Sequence, residues 1–198
     1  MTSPPQAGVV LETERLGLRR FTDTDADAEL LFELDSDPEV MRYIGPFGLP
    51  SVAAYREKIR NLYLPQYAAH PDRGCLAAHE EATGEFLGWF FLRPATEYKF
   101  AAEAGWTRPT DIELGYRLRR AAWGEGFATE AAAALVPLAL ADPAVTCVVS
   151  AALLPNRASW RVMEKCGLVR VREFAVPGFA DPLVMYALCR TGCVPPCA

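Results

Sequence analysis

The sequence predicts an α/β domain whose sheet is mixed, as in α+β folds. Three observations support this prediction. Strand-like segments occur singly and in runs around helical segments. Hydrophobic residues make up 51% of the 198-residue chain, enough for a packed core. The stretch DIELGYRLRRAAWGEGFATEA, residues 111–131, begins as an alternating strand and ends as a helix, with two glycines at the junction. We expect one domain over residues 11–189, with flexible segments at 1–10 and 190–198.

Alternating or continuous apolar residues indicate seven strands. They are predicted at residues 15–21, 75–79, 86–92, 112–118, 145–153, 168–174 and 183–189. The fourth and fifth of these flank the glycine junction. The segment 93–110 between the third and fourth is predicted to be a long irregular connection.

Capping residues and apolar spacing predict the helices. Helices are expected after the TDTD sequence at 22–25, from Pro38 to a stop at Gly45, from Ser51 to a bend or end at Pro65, over about 126–140, and from Asn156 to Gly167. Pro137 lies inside the fourth of these and should kink it or end it early.

Charge and composition exclude several classes of partner. The net charge of −5 argues against nucleic acid, whose partners present a basic face. Neither a membrane span nor a signal pattern is present, so we expect a soluble, cytoplasmic protein without a membrane partner. We expect it to be a monomer or a homodimer.

Six cysteines have two interpretations. Three cysteines have apolar neighbours and are predicted to be small buried hydrophobic residues, namely Cys75, Cys147 and Cys166. Three cysteines lie near the C-terminus, namely Cys189, Cys193 and Cys197. They are predicted to belong to a reduced, frayed tail, and the alternative is a metal site. Because no histidine is near them, we expect no metal.

The glycine junction is the main functional signal. Gly124 and Gly126 let the backbone approach a ligand closely, and the free N–H groups of the following helix would point at it. Arg119 and Arg120 can add charged donors for phosphate oxygens. The alternative is a tight strand–helix turn with solvated arginines.

Two known phosphate motifs do not match this junction. A P-loop needs Lys-Ser or Lys-Thr after its last glycine, where Phe127 and Ala128 stand. The dinucleotide fingerprint needs a small residue where Thr129 stands, and an acid about 20 residues further on. Asp142 is too close for that role.

Three segments instead resemble the GNAT acetyltransferases, in the branch similar to the RimJ and RimL ribosomal-protein N-terminal acetyltransferases. They are LETERLGLRRFTDTDAD…DPEVMRYIG, IELGYRL with WGEGFATEA, and NRASWRVMEKCGL. The likeness covers most of the chain, from about Leu11 to Leu188. The resemblance implies the GNAT acyl-CoA N-acyltransferase fold. Its order is a strand, two helices, three strands, a helix, a strand, a helix and two strands, with the fourth and fifth strands splayed apart.

The resemblance also implies an acetyl-CoA site. The family signature, whose amides wrap the pyrophosphate, falls on Trp123, Gly124, Glu125, Gly126, Phe127 and Ala128. Trp123 stands where glutamine or arginine is usual, which leaves more of the phosphate binding to the amides, Arg119, Arg120 and Thr129. The end of the preceding strand would pair with the pantetheine arm through Tyr116, Arg117 and Leu118. Asn156 would contact the same arm, cap its helix, or do both.

Two residues are implied as catalytic. Glu113 would take the proton of the attacking amine, directly or through water, or it is a salt-bridged glutamate on a polar face. The next strand offers no acid that could replace it. Met163 stands where relatives carry an acidic tyrosine, so Ser159 is the hydroxyl left to protonate the thiolate. Gly115 is the expected bulge, near which a backbone N–H would stabilise the oxyanion.

The expected activity is transfer of the acetyl group of acetyl-CoA to a primary amine, by direct attack on the thioester. The acceptor would be a protein N-terminus or a small-molecule amine. The connection 93–110 would supply its pocket through Glu97, Tyr98, Glu103 and Trp106, or it is a solvated loop. The alternative function, suggested by Met163, is a catalytically silent CoA-binding or regulatory module.

Overall fold

The computed structural model describes residues 8–45, 48–71, 73–106 and 108–195. Its strands are β1 Val9–Glu12, β2 Leu16–Arg20, β3 Gly74–Glu80, β4 Phe86–Pro94, β5 Asp111–Leu118, β6 Cys147–Leu153, β7 Val169–Phe174 and β8 Leu183–Cys189. Its α-helices are α1 Asp25–Ser36, α2 Pro38–Met41, α3 Val52–Lys58, α4 Leu64–Ala69, α5 Ala101–Ala104, α6 Phe127–Ala141 and α7 Arg157–Lys165. Most of the predicted flexible segment 1–10, and Cys197, lie outside the described residues.

The strands form one hydrogen-bonded sheet in the order β1-β2-β3-β4-β5-β6-β8-β7. β5 and β6 are parallel, whereas β2 with β3, β6 with β8 and β7 with β8 are antiparallel. The predicted mixed sheet is therefore confirmed. The structure adds β1, which pairs with β2 and which the sequence analysis did not predict.

Local capping chemistry explains where the helices begin. The side chains of Thr24, Ser51 and Asn156 each accept a backbone N–H from the first turn of α1, α3 and α7. Asp37 does the same for α2, which opens with Pro38 at its first position. These helix starts are confirmed as predicted.

The two internal prolines act differently from one another. A π-helical turn, Ile59–Tyr63, comes directly before Pro65, and the chain stays helical to Ala69. The wider turn accommodates a residue that has no N–H to donate. α6 passes through Pro137 and continues to Ala141, so an early end there is wrong. Burial of its apolar side chains outweighs the lost hydrogen bond.

The chain divides into two compact units, and β4 and β5 contribute residues to both. One comprises Met1–Phe91 and Tyr116–Phe127, and its fully buried side chains include Leu16, Leu18, Phe21, Leu31, Tyr55 and Phe90. The other comprises Leu92–Gly115 and Ala128–Ala198, and its fully buried side chains include Ile112, Leu114, Leu135, Val148, Val149 and Met185.

The interpretation of two cysteines was wrong. Cys147 and Cys189 form a disulfide between β6 and β8, where the antiparallel register sets them directly opposite each other. Cys189 is therefore the last residue of a sheet strand and does not belong to a reduced tail. Cys75 is buried as expected and forms no disulfide. Cys166 was also expected to be buried but is half-buried, as is Cys193.

A close approach of β4 to the end of β5 requires glycine at position 88. Gly88 has a φ of +145°. A Cβ there would lie 2.7 Å from Cα of Leu118 and closer still to the carbonyl oxygen of Arg117. Beside it, the N–H of Arg119 donates to the carbonyl of Leu87 at 2.8 Å. The bulge predicted at Gly115 stays a prediction.

We expect Gly88→Ala to lower the free energy of unfolding by about 3 kcal/mol, because backbone strain and a steric clash act together. Chemical denaturation measures the change. Gly84→Ala is the matched control, since Gly84 also has positive φ but faces open space; it should cost about 1 kcal/mol. Equal losses in both variants would contradict the steric argument.

Candidate active site

The loop between β5 and α6 presents backbone amides to solvent. A short 3-10 turn, Arg120–Ala122, leads into Gly124 and Gly126, whose φ values are +84° and +86°. Residues 124–126 are exposed. Among the residues that the structure describes, none accepts a hydrogen bond from the amides of residues 124–129. Open amides at a helix start, where the helix dipole adds positive charge, have the geometry of an anion site.

Arg15 fixes the orientation of this loop, and the sequence analysis missed it. Its guanidinium donates to the carbonyl of Glu125 at 3.0 Å and lies 4.5 Å from the ring centroid of Phe127. In a trans peptide the C=O and N–H groups point in opposite directions, so the N–H of Gly126 points away from Arg15. With 110 residues between Arg15 and Glu125, no local pattern could have revealed this contact.

Trp123 closes the end of β5. Its indole N–H donates to the carbonyl of Leu118 at 2.9 Å, and the residue remains 48% exposed. Trp123, at the position where glutamine or arginine is usual, therefore binds the last carbonyl of the strand, and part of its ring faces solvent.

The arginines at the end of β5 are paired with acids of α1 and its C-terminus. Arg117 pairs with Asp35, Arg119 with Glu33 at 2.8 Å, and Arg120 with Asp37 at 2.6 Å. The last two pairs line a cavity of about 320 Å³ together with Leu34, Val40 and Ala121. Arg117 also lies over the ring of Trp89, 5.0 Å from its centroid. Arg119 and Arg120 thus already hold carboxylate partners.

Glu113 on β5 is a buried carboxylate with one ionic partner. Its side chain is 7% exposed, and Nε of Arg93 donates to its Oε2 at 2.7 Å. Burial raises the pKa of Glu113, and the neighbouring charge of Arg93 opposes that rise. Within the described part of the chain, the second oxygen, Oε1, has no hydrogen-bond partner.

Asp111, two residues earlier on the same strand, has a different environment. It is fully buried, and its two oxygens accept from Nε of Arg108 at 2.8 Å and from the hydroxyl of Thr146 at 2.6 Å. Both oxygens of Asp111 thus have a donor, and these contacts stabilise the start of the strand.

The parallel ladder of β5 and β6 is short. It joins residues 111–113 to residues 147–149, and Leu114 and Gly115 continue β5 beyond it. Glu113 therefore lies on the last pair of the ladder, opposite Val149.

The start of α7 carries the other predicted polar residues. The side chain of Asn156 accepts the N–H of Ser159 at 3.3 Å, which confirms its capping role. Ser159 is half-buried, and Met163, one turn further on, is 1% exposed. The hydroxyl group on this first turn of α7 is therefore that of Ser159, and Met163 on the next turn has no proton to donate.

The predicted acceptor loop is partly a packing cluster. Trp106 is 2% exposed, and its indole N–H donates to the sulfur of Met185 at 2.7 Å. Trp106 therefore belongs to the core and does not line an open pocket, which corrects that interpretation. Tyr98 packs on it with ring centroids 4.8 Å apart and is half-buried, while Glu97 and Glu103 are exposed.

The described residues contain neither a candidate membrane span nor a candidate metal site. None of their helices is both long enough and apolar enough to span a membrane. Within the same residues, no group of three or more His, Cys, Asp or Glu side chains is arranged to hold a metal ion.

Comparison with known proteins agrees with the fold. Residues 15–169 match the family described as "Acetyltransferase (GNAT) domain". The chain is 30% identical over 168 residues to FsC-acetyl coenzyme A-N(2)-transacetylase of Aspergillus fumigatus, with 82% of the chain and 69% of that protein covered.

Solved structures share the fold at lower identity. An acetyltransferase (GNAT family) from Bacillus anthracis has a TM-score of 0.69 at 22% identity, covering 90% of this chain and 97% of that one. The aminoglycoside acetyltransferase AAC(6')-Ib in complex with coenzyme A has a TM-score of 0.67 at 24% identity, covering 89% and 95%.

Together, these findings define an acetyl-CoA-dependent N-acetyltransferase, with acetyl-CoA as its co-substrate. The match over residues 15–169 covers most of the chain. The protein belongs to the GNAT family of acetyltransferases.

Proposed function

We propose that the enzyme transfers the acetyl group to a primary amine by direct attack of the amine on the thioester carbon. The observation that carries the proposal is the set of amides at residues 124–129, which have no acceptor among the described residues and of which residues 124–126 are exposed. These amides would hold the diphosphate of acetyl-CoA. The acceptor is either a protein N-terminal α-amine or a small-molecule amine.

In this proposal the cofactor site combines the loop with the strand end before it. Its members are Tyr116, Arg117, Leu118, Arg119, Arg120, Trp123, Gly124, Glu125, Gly126, Phe127, Ala128, Thr129 and Asn156. Arg15 joins them as the residue that orients the Glu125–Gly126 peptide. To reach a phosphate, Arg119 and Arg120 would have to share or leave their carboxylate partners. The amides would thus supply most of the binding.

Two residues carry the proposed proton transfers. As the C–N bond forms and the C–S bond breaks, Glu113 would accept the proton that the amine loses, directly or through water. Its Oε1 supports this role, because that oxygen has no partner among the described residues. Ser159 would supply a proton to the departing thiolate. Since a thiolate is a good leaving group, the contribution of Ser159 would be the smaller one.

Local charge favours an acceptor that carries a second positive charge. Glu97 and Glu103 are exposed, and Glu97 is close enough to raise the pKa of Glu113 further. Acidic side chains attract cationic amines and raise their local concentration. AAC(6')-Ib has been solved with kanamycin, but that likeness concerns the fold alone. We therefore favour small polyamines or amino sugars over protein N-termini as acceptors.

We further propose the RimJ/RimL-like branch and a cytoplasmic location. The branch is supported by the opening and glycine-loop segments quoted above. In a reducing cytoplasm the Cys147–Cys189 bond would be open. Counting the free thiols of protein taken directly from cells tests the location, because an oxidised pair would contradict it.

The first test of the function uses ligand-dependent stability and turnover. Acetyl-CoA at about 100 times its Kd should raise the Tm by about 5 °C or more. Spermidine, kanamycin and an N-terminal peptide, each supplied with acetyl-CoA, should be compared by release of free thiol. Glu113→Gln should retain the Tm shift and lose most turnover.

Three outcomes would change this assignment. A Tm that does not respond to millimolar acetyl-CoA would contradict cofactor binding. Binding without turnover on all three amines would favour the silent CoA-binding module. Full turnover by Glu113→Gln would remove the base assignment.

The second test concerns the loop. Arg15→Gln removes the donor that holds the carbonyl of Glu125, so the Kd for acetyl-CoA should rise roughly 5- to 20-fold. Isothermal titration calorimetry measures it. Arg60→Gln is the control, because Arg60 is an exposed arginine paired with Asp23, and its Kd should stay unchanged. A Kd that is the same for both variants would show that Arg15 does not orient the loop.

A further inference from the structure

Arg93 lies near the end of β4 and pairs with a buried acid, Glu113, at the end of the β5–β6 ladder. The contact is one hydrogen-bonded ion pair, from Nε to Oε2 at 2.7 Å. The arginine side chain is 27% exposed, whereas the glutamate side chain is 7% exposed. The pair therefore has one end in the protein interior and one end that reaches solvent.

We propose that Arg93 is a positioning residue that keeps Glu113 ionised and holds its Oε2, so that Oε1 alone receives the proton from the amine. This inference rests on the proposed function in one respect, the role of Glu113 as the base. The effect of Arg93 on the titration of Glu113 does not depend on that role.

The charges around Glu113 oppose its ionisation, except for that of Arg93. The groups that face it are Arg93 from β4, Glu97 from the 3-10 turn Ala95–Glu97, and the phenol of Tyr98. Burial and the charge of Glu97 both raise the pKa of Glu113, and only Arg93 lowers it. Without Arg93, burial and the second glutamate would favour the protonated form of this carboxyl, which cannot act as a base.

The neighbouring ion pair on β5 shows what a purely structural arrangement looks like. Asp111 uses both oxygens, one for Arg108 and one for Thr146. Among the residues that the structure describes, only Oε2 of Glu113 has a hydrogen-bond partner, although Glu113 is also buried. Two buried acids on one strand, each with one arginine, thus differ in whether an oxygen is left to react.

The experiment compares Arg93→Gln and Arg93→Lys with the unmodified enzyme over pH 5 to 10. Turnover requires ionised Glu113, so kcat/KM falls as the pH drops through the pKa of this residue. Losing the arginine raises that pKa. The acidic limb of the pH profile of kcat/KM should therefore move to higher pH by roughly one to three units in Arg93→Gln. Activity should recover on the alkaline side. Arg93→Lys keeps a charge and should show a smaller displacement, and the KM for acetyl-CoA should stay the same in both.

Arg108→Lys is the matched control for Arg93→Lys. It alters the ion pair of Asp111 on the same strand and should leave the acidic limb in place. A limb that does not move in either Arg93 variant would overturn the proposal, as would an equal displacement in Arg108→Lys.

A second measurement separates this inference from the proposed function. The carboxyl carbon of Glu113 can be titrated by NMR in glutamate-labelled protein without any substrate, with Glu113→Gln used for assignment. Its midpoint should rise in Arg93→Lys and further in Arg93→Gln, whether or not an amine is acetylated. An unchanged midpoint would refute the role of Arg93 even if the enzyme is active. Failure of turnover on every amine, with the midpoint displaced, would count only against the function.

Discussion

Burial of carboxylates along β5 is the constraint on which the proposed chemistry depends. Moving an ionised carboxylate out of water costs several kcal/mol, which a close, well-oriented cation can offset. Asp111 and Glu113 each receive one arginine at 2.7–2.8 Å. Asp111 also receives a hydroxyl, so each of its oxygens has a donor, whereas Oε1 of Glu113 has none among the described residues. Two buried acids can therefore lie two residues apart on one strand and differ by a single hydrogen bond.

The same contrast between satisfied and open polar groups distinguishes the glycine loop from its surroundings. At the end of β5, Trp123 caps a carbonyl, and the arginines of this region have carboxylate partners. The amides that follow have none among the described residues. Amides at the start of a helix that are left without a protein acceptor can bind an anion, and the helix dipole favours that binding. Arg15 reinforces this set by binding the one carbonyl that would otherwise turn toward it.

Sequence reasoning succeeded where the determining interactions are local. Caps such as Ser51 and Asn156 act within three residues, and the loop glycines set the conformation of their own backbone. It failed where a contact joins distant segments. Arg15, β1 and the Cys147–Cys189 bond all require knowledge of which strands are neighbours, and that knowledge comes only with the topology. The motifs that resemble the GNAT acetyltransferases could supply the family and the order of strands, but not these pairings.

The predicted roles that changed most are those of the arginines. From sequence, Arg119 and Arg120 were candidates because they precede the loop, yet their side chains reach Glu33 and Asp37 at the end of α1. Charge and proximity along the chain do not decide which partner a long side chain takes, since it samples every acceptor within its reach. Arg15 and Arg93 hold groups that would otherwise be misdirected, a carbonyl in one case and a carboxylate in the other. In this enzyme, arginine would serve less as a direct ligand than as the residue that orients the groups that bind and react.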